Sequence, residues 1–279
     1  MRACRPKRSG PLFDDAEALI HRENPIMSTA ALARPPSNLL LLAEGRALWE
    51  AGATLALWPL LQFAPRGDGH SVVVLPGLGA SDGSTELLRR FLSTRGYAVH
   101  GWGLGTNCGP LPGVEKGLEQ LLDRLHGHTG KVSLVGWSLG GVFARMLASK
   151  APGAVRSVIT LGSPLRGNSK ATRAAKAYEL LSGQPADDPA RQRWVKATPR
   201  VPTTSIFSRS DAIVSWHSSF EKETPSSENI EVEASHLGLG VHPAVLYAVA
   251  DRLSMSENQW RRFEAPAALR AFYPDPARD

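Results

Sequence analysis

From Ser71 onward, short apolar runs alternate with stretches in which apolar residues recur every three or four positions. Ser71–Leu75 is a β-branched run stopped by Pro76-Gly77 and reads as a buried strand. A helix over Thr85–Ser93 follows, with Ser84 as its cap and Leu87, Leu88, Phe91 and Leu92 on one face. Tyr97–Trp102 reads as a second strand, and the loop Gly103–Gly113 after it is rich in glycine and proline. The helical rhythm returns over Val114–His126 through Leu118, Leu121, Leu122 and Leu125, and Lys131–Val135 is the next strand. Helix 141–150, strand Val155–Leu161 and the later strands Thr203–Ser208 and Asn229–Glu233 complete the series. Such alternation implies right-handed crossovers and a mostly parallel central sheet flanked by helices, an α/β architecture.

Two parts of the chain stand outside that rhythm. From Ser37 to Leu61 the sequence is apolar and helix-compatible, with Ser37 or Asn38 as cap and only Glu44, Arg46 and Glu50 charged. Those charges break the run of roughly 20 apolar residues that a membrane span needs. Residues 37–63 are therefore expected to pack as an apolar helix on the body, the other reading being an interfacial anchor or a wall of an acyl-binding groove. Residues 165–202 separate two strands by more than an ordinary connection. Within them Ser169–Ser182 is helical by composition and stops at Gly183, and a solvated positive helix is the plain reading. The expected organisation is an N-terminal arm over 1–36, the apolar helix over 37–63, a core formed by 64–164 and 201–279, and a basic cap over 165–200.

Composition changes this picture in three places. With 279 residues and 42% hydrophobic content the chain can bury a large core as one α/β domain. Cys4 and Cys108 build neither a disulfide framework nor a metal-ligand spacing, so no metal and no cofactor are expected. The net charge of +6 concentrates between Leu165 and Arg200, and no stacking aromatics are interleaved there, so nucleic acid is not an expected partner. In the arm, Arg2, Arg5, Lys7 and Arg8 look like the start of a signal peptide, but Asp14, Asp15 and Glu17 interrupt the apolar region it requires. Met27 is an alternative initiator, and a cytoplasmic protein able to associate with a membrane is the expectation.

The candidate chemistry centres on Gly136-Trp137-Ser138-Leu139-Gly140, between a strand and a helix. In that setting the chain must reverse sharply, lifting the Ser138 hydroxyl above the sheet, and the following helix aims its N-terminal N–H groups at it. A serine nucleophile needs a base, and the base needs an acid to fix its tautomer. Asp211 lies just beyond the strand Thr203–Ser208, and His236 just beyond Asn229–Glu233, both on the sheet edge that carries Ser138. His217 and His242 are rivals to His236, but one sits in a serine-rich loop and the other precedes Pro243 at a helix start. Asn107 reads as a turn residue beside Gly109-Pro110 or as a residue of the pocket rim.

Leu-Pro-Gly-Leu-Gly at 75–79, Gly-Trp-Ser-Leu-Gly-Gly at 136–141, Leu-Gly-Ser-Pro at 161–164, Ser-Asp-Ala-Ile-Val at 210–214 and Ser-His-Leu-Gly at 235–238 occur in that order. Over Ser71–Leu253 the chain thereby resembles the α/β-hydrolase superfamily, in its bacterial lipase and esterase-like branch. The resemblance implies Ser138 as nucleophile, His236 as base and Asp211 as orienting acid, with an oxyanion hole from the backbone N–H groups of Leu78 and Leu139. It also implies that 165–200 is a cap or lid, from which Tyr178 and Trp194 could face an acyl pocket beside Trp137, where relatives often carry histidine. The expected activity is hydrolysis of a small-molecule or lipid carboxylic ester through an acyl-enzyme, and the basic cap suggests peripheral contact with an anionic membrane surface. Acyl transfer to an alcohol or amine by the same triad, or a non-catalytic binding protein of this fold, are the alternatives. Oligomeric state is not readable from the sequence.

Overall fold

The computed structural model describes residues 36–166, 172–188 and 198–277. Trp194, with residues 167–171 and 189–197 of the expected cap, and the arm up to residue 35 lie outside them.

Six strands form one sheet in the order β2-β1-β3-β4-β5-β6, and every neighbouring pair is parallel. They are β1 Ser71–Leu75, β2 Ala98–Gly101, β3 Val132–Trp137, β4 Val155–Leu161, β5 Thr203–Phe207 and β6 Ser227–Glu231. Three short helices precede the sheet: α1 Asn38–Ala43, α2 Ala47–Ala56 and α3 Trp58–Leu61. The crossovers carry α4 Glu86–Thr94, α5 Val114–Thr129, α6 Leu139–Lys150 and α7 Ala175–Ser182. After β5 come the single turn α8 Trp216–Ser219 and, beyond β6, α9 Pro243–Leu253.

Side-chain alternation along the strands builds two cores, one on each face of the sheet. Val72 and Val74 of β1, Val135 and Trp137 of β3 and Ile159 and Leu161 of β4 join α4 and α9 on one face. The intervening Val73, Leu75, Val132, Leu134, Val155 and Val158 join α5 and α6 on the other. A parallel sheet covered on both faces favours apolar side chains on both, and the central β1 is an unbroken apolar run after Ser71, whereas the buried β5 and β6 carry Thr, Ser, Glu and Asn.

Several boundaries differ from those the sequence pattern predicts. A 3₁₀ turn, Asp82–Thr85, precedes α4, so Ser84 does not cap that helix; its hydroxyl donates to the Ser81 carbonyl instead. Asp82 ends β2, because its carboxylate accepts the backbone N–H groups of Trp102 and Gly103. β3 runs through Gly136 to Trp137 and α6 begins at Leu139, two residues before the expected start, so no loop separates strand from helix at Ser138. β6 ends at Glu231, two residues early.

The largest difference lies in residues 37–61. They form not one helix but three, broken by a 3₁₀ turn at Glu44–Arg46 and by Leu57 ahead of Pro59. Their polar residues face the body: Glu44, Glu50 and Thr54 are buried, and the Thr54 hydroxyl donates to the Val241 carbonyl. Leu61 and Trp58 join the core, Trp58 standing edge-on to Phe91. Leu42, Leu48, Trp49, Leu55, Leu60 and Phe63 are all exposed.

Candidate active site

Ser138 is the residue at which β3 turns into α6. Its φ of 53° and ψ of −120° place it, with Asn258, among the non-glycine residues of positive φ in the described chain. That conformation costs of the order of 1–3 kcal/mol and persists only where the surroundings over-determine it. Here they do. A Cβ at Gly136 would lie 2.4 Å from the Gly140 carbonyl oxygen, and one at Gly140 would lie 2.3 Å from that of Leu75. The Ser138 N–H donates to Leu161 on β4 at 2.8 Å, fixing the turn to the sheet. As the first residue of α6, Leu139 has an N–H with no acceptor inside the helix, at its electropositive end.

The loop after β1 closes over the serine. The Cβ position of Gly77 is 3.2 Å from Ser138 Cβ, which sets Leu78, the next residue, close to Ser138. Asn107 holds this loop from below: its amide donates to the Pro76 carbonyl at 2.8 Å and its side-chain oxygen accepts the Gly109 N–H at 3.1 Å. Its backbone exchanges two further bonds with Gly79 and Ala80, each 2.8 Å. Fully buried and committed to backbone, Asn107 braces the loop rather than touching a pocket rim. From α7, Leu181 approaches the Cβ position of Gly79 to 3.8 Å, while Tyr178 is buried against Gly109.

Asp211 and His236 meet on the same edge. The His236 Nδ1 lies 2.6 Å from Asp211 Oδ2, both side chains being buried. The other oxygen, Oδ1, accepts the N–H groups of Ile213 and Val214 at 2.8 Å each, so the carboxylate cannot rotate. Burial by itself lowers the imidazole pKa, but the charge and hydrogen bond of Asp211, aided by the charge of Glu44, hold it above its ordinary value. The Trp137 indole donates to the His236 carbonyl at 3.0 Å, tying the histidine loop to the residue before the nucleophile. Of the rival histidines, His242 caps α9 by accepting the Ala244 N–H, and His217 lies stacked on Trp216.

Gly162, which the sequence pattern gives no role of its own, sits beneath this pair. It follows β4 with φ 53°, and a Cβ there would lie 2.9 Å from Asp211 Oδ2 and 3.2 Å from His236 Nδ1. Glu44 and Glu50, which in the sequence only interrupt an apolar run, reach the same two loops from outside the sheet. No spacing signal connects them to a site more than 160 residues away.

The chain holds a second Ser-His-Asp array at the opposite edge of the sheet. His70 lies 2.9 Å from Ser133 Oγ through Nε2 and 2.5 Å from Asp68 through Nδ1. Ser133 is wholly buried within β3, shares its hydroxyl with Ser157, and faces no helix N-terminus. It offers no approach to a carbonyl group, and burial lowers the His70 pKa. Geometry of three side chains is therefore insufficient; the strained bend and the helix N-terminus that follows it distinguish the Ser138 site.

The family profile of palmitoyl protein thioesterase matches residues 71–207, just under half of the chain. No curated protein sequence matches it significantly. Among solved structures, a monoacylglycerol lipase from Paleococcus ferrophilus is 18% identical with a TM-score of 0.50, over 66% of this chain and 96% of that one. MGS-MChE2, an α/β-hydrolase enzyme from the sediment metagenome of the Mar Chica lagoon, is 19% identical with a TM-score of 0.49, over 66% and 90%. The esterase domain of a Rhodothermus marinus protein is 18% identical with a TM-score of 0.47, over 68% and 88%. At such identities the likeness is one of fold. The chain has the α/β-hydrolase fold.

Gly162→Ala should keep the fold yet lose about tenfold or more in turnover, because the new methyl displaces the Asp211–His236 pair; full turnover with an unmoved His236 resonance would contradict this. Because a base must be neutral, kcat/KM should rise with pH through a midpoint above the ordinary histidine value. Stability runs the other way: the raised pKa gives a contribution fully present below the unfolded-state value and lost as pH rises through the folded one. Urea melts across that interval measure it.

Proposed function

We propose that the protein is a serine hydrolase acting on carboxylic esters or acyl thioesters through an acyl-enzyme. The observation that carries this reading is a strained serine at a helix N-terminus on the same sheet edge as a buried Asp211–His236 hydrogen bond of 2.6 Å. In the reaction, Ser138 Oγ attacks the substrate carbonyl while His236 Nε2 takes its proton, and Asp211 stabilises the resulting imidazolium. The N–H groups of Leu139 and Leu78 hold the tetrahedral oxyanion. Collapse expels the alkoxide or thiolate, which receives the proton from His236. Water, activated by the same imidazole, then releases the acid and restores Ser138. The similarity of residues 71–207 to palmitoyl protein thioesterases supports including thioesters and long acyl chains among the substrates.

Labelling by a fluorescent fluorophosphonate should succeed with wild type and vanish in Ser138→Ala, and nitrophenyl esters and acyl thioesters from C2 to C16 should rank the acyl preference. A folded wild type that neither labels nor turns over any of these substrates would refute the reading.

The outward face of α1–α3 favours peripheral contact with lipid as a second element of the function. Leu48, Trp49 and Phe63 are each more than 80% exposed, and contiguous apolar surface of this kind marks an interaction site. No helix among the described residues is long and apolar enough to cross a membrane. Co-sedimentation with phosphatidylglycerol vesicles should fall several-fold in Leu48→Ser/Trp49→Ser; equal partition of variant and wild type would remove this element.

A further inference from the structure

We propose that Glu44 and Glu50 are positioning residues that bind the acid loop and the histidine loop to each other from behind the triad, making the segment before the sheet part of the catalytic apparatus. The inference rests on the serine-hydrolase reading of Ser138, Asp211 and His236.

The bonds fall on the residues that flank the triad. Glu44 Oε1 accepts the N–H groups of Ala212 and His236, each at 3.0 Å, and its Oε2 accepts that of Leu237 at 2.9 Å. One carboxylate therefore holds a residue next to Asp211, His236 itself and the residue after it. Glu50 takes the other side of the histidine, accepting the Ser235 N–H at 2.8 Å and the Ser235 hydroxyl at 2.6 Å. Arg46 joins the two sets: its Nε donates to Glu50 at 3.1 Å and its Nη2 to the Ser210 hydroxyl at 2.5 Å. Residues 210, 212, 235, 236 and 237 are thus all held from the short helical stretch 44–50.

The histidine loop is shaped to receive this clamp. A Cβ at Gly238 would lie 1.5 Å from Glu50 Oε2, so the glycine leaves room for the carboxylate. Both glutamates are buried, and a buried carboxylate is tolerable only when its oxygens are met by donors, as they are here. A staple needed only for folding could have used apolar packing at lower desolvation cost. Carboxylates that accept backbone N–H groups instead fix the loops in position and register while leaving the Asp211 and His236 side chains free to face each other.

The clamp also has an electrostatic consequence. The charged groups around His236 are Asp211 on the loop after β5, Glu44 on the turn after α1, Glu50 on α2 acting through Ser235, and Arg46 opposing them. Glu44 favours the imidazolium that forms when Ser138 is deprotonated. Neutralising it should therefore move the titration of His236 downward, an effect that a purely structural staple would not produce.

The test uses the full chain as wild type, Ser138→Ala, Glu44→Gln and Glu50→Gln, with four readouts: fluorophosphonate labelling, kcat and KM on a nitrophenyl ester, the pH titration of the His236 ring by NMR, and thermal unfolding. Glutamine keeps the shape of Glu44 but presents an NH₂ where one set of N–H groups needs an acceptor. We expect Glu44→Gln to lose about ten- to a hundredfold in kcat with KM within about twofold, and its His236 titration to move to lower pH. Unchanged kcat and an unmoved titration, with only a lower melting temperature, would overturn the proposal. Labelling of wild type but not of Ser138→Ala separates that outcome from a failure of the parent reading. Should wild type neither label nor turn over the ester, it is the parent reading that fails, and with it the catalytic role of the clamp, while the His236 titration still decides whether Glu44 acts on the ring. If Glu44→Gln does not fold, Glu50→Gln carries the test, with a severalfold fall in kcat at constant KM expected and full kcat overturning it.

Discussion

The reversal of the chain at Ser138 is the constraint on which the site depends. A positive φ at a residue with a side chain is unfavourable, so the bend survives only because strand β3 and helix α6 leave no alternative path. Gly136 and Gly140 allow the backbones of β3, α6 and the end of β1 to approach within contact that any methyl would prevent. The same approach fixes where Leu139 points its N–H group and where the loop carrying Leu78 can lie. The positions of Ser138, the Leu139 N–H group and the loop after β1 are in this way consequences of a single packing event at the middle of the sheet.

Around that bend, the loops that carry Asp211 and His236 are held by hydrogen bonds to their backbone. Asp211 is fixed by two N–H groups of its own loop, and His236 by the indole of Trp137 at its carbonyl and by Glu44 at its N–H. Asn107 does the equivalent service for the loop after β1. Each restraint satisfies a polar group that would otherwise be buried without a partner, so the same bonds that position the site also remove a desolvation penalty.

The inverted helical segment before the sheet follows from the same logic. Its carboxylates turn inward because the loops after β5 and β6 present N–H groups without strand partners there, and Leu42, Leu48, Leu55 and Leu60 are turned outward. Polar contacts inside and apolar side chains outside reverse the usual arrangement of a surface helix. The arrangement joins the loops that carry Asp211 and His236 to an exposed apolar face. At the other edge of the sheet, His70 and Ser133 reproduce the side-chain distances of a triad within a closed strand interior, where no carbonyl can enter.

The features that the sequence determined by itself are those written in local patterns. Alternating apolar periods specified a parallel α/β sheet, because strands covered on both faces, β1 above all, tend to read as short apolar runs between helical stretches. Glycines around Ser138 specified the bend, since no other residue tolerates such close backbone approach. The positions of Asp211 and His236 after successive strands placed both on one edge, as parallel strands must. Tertiary structure alone decided which face of residues 38–61 turned inward, because that choice answers to N–H groups supplied by loops far along the chain. It also assigned Gly162 to the space beneath the Asp211–His236 pair and Asn107 to the loop beneath Leu78. Those roles arise where elements distant in sequence meet, and periodicity carries no information about such meetings.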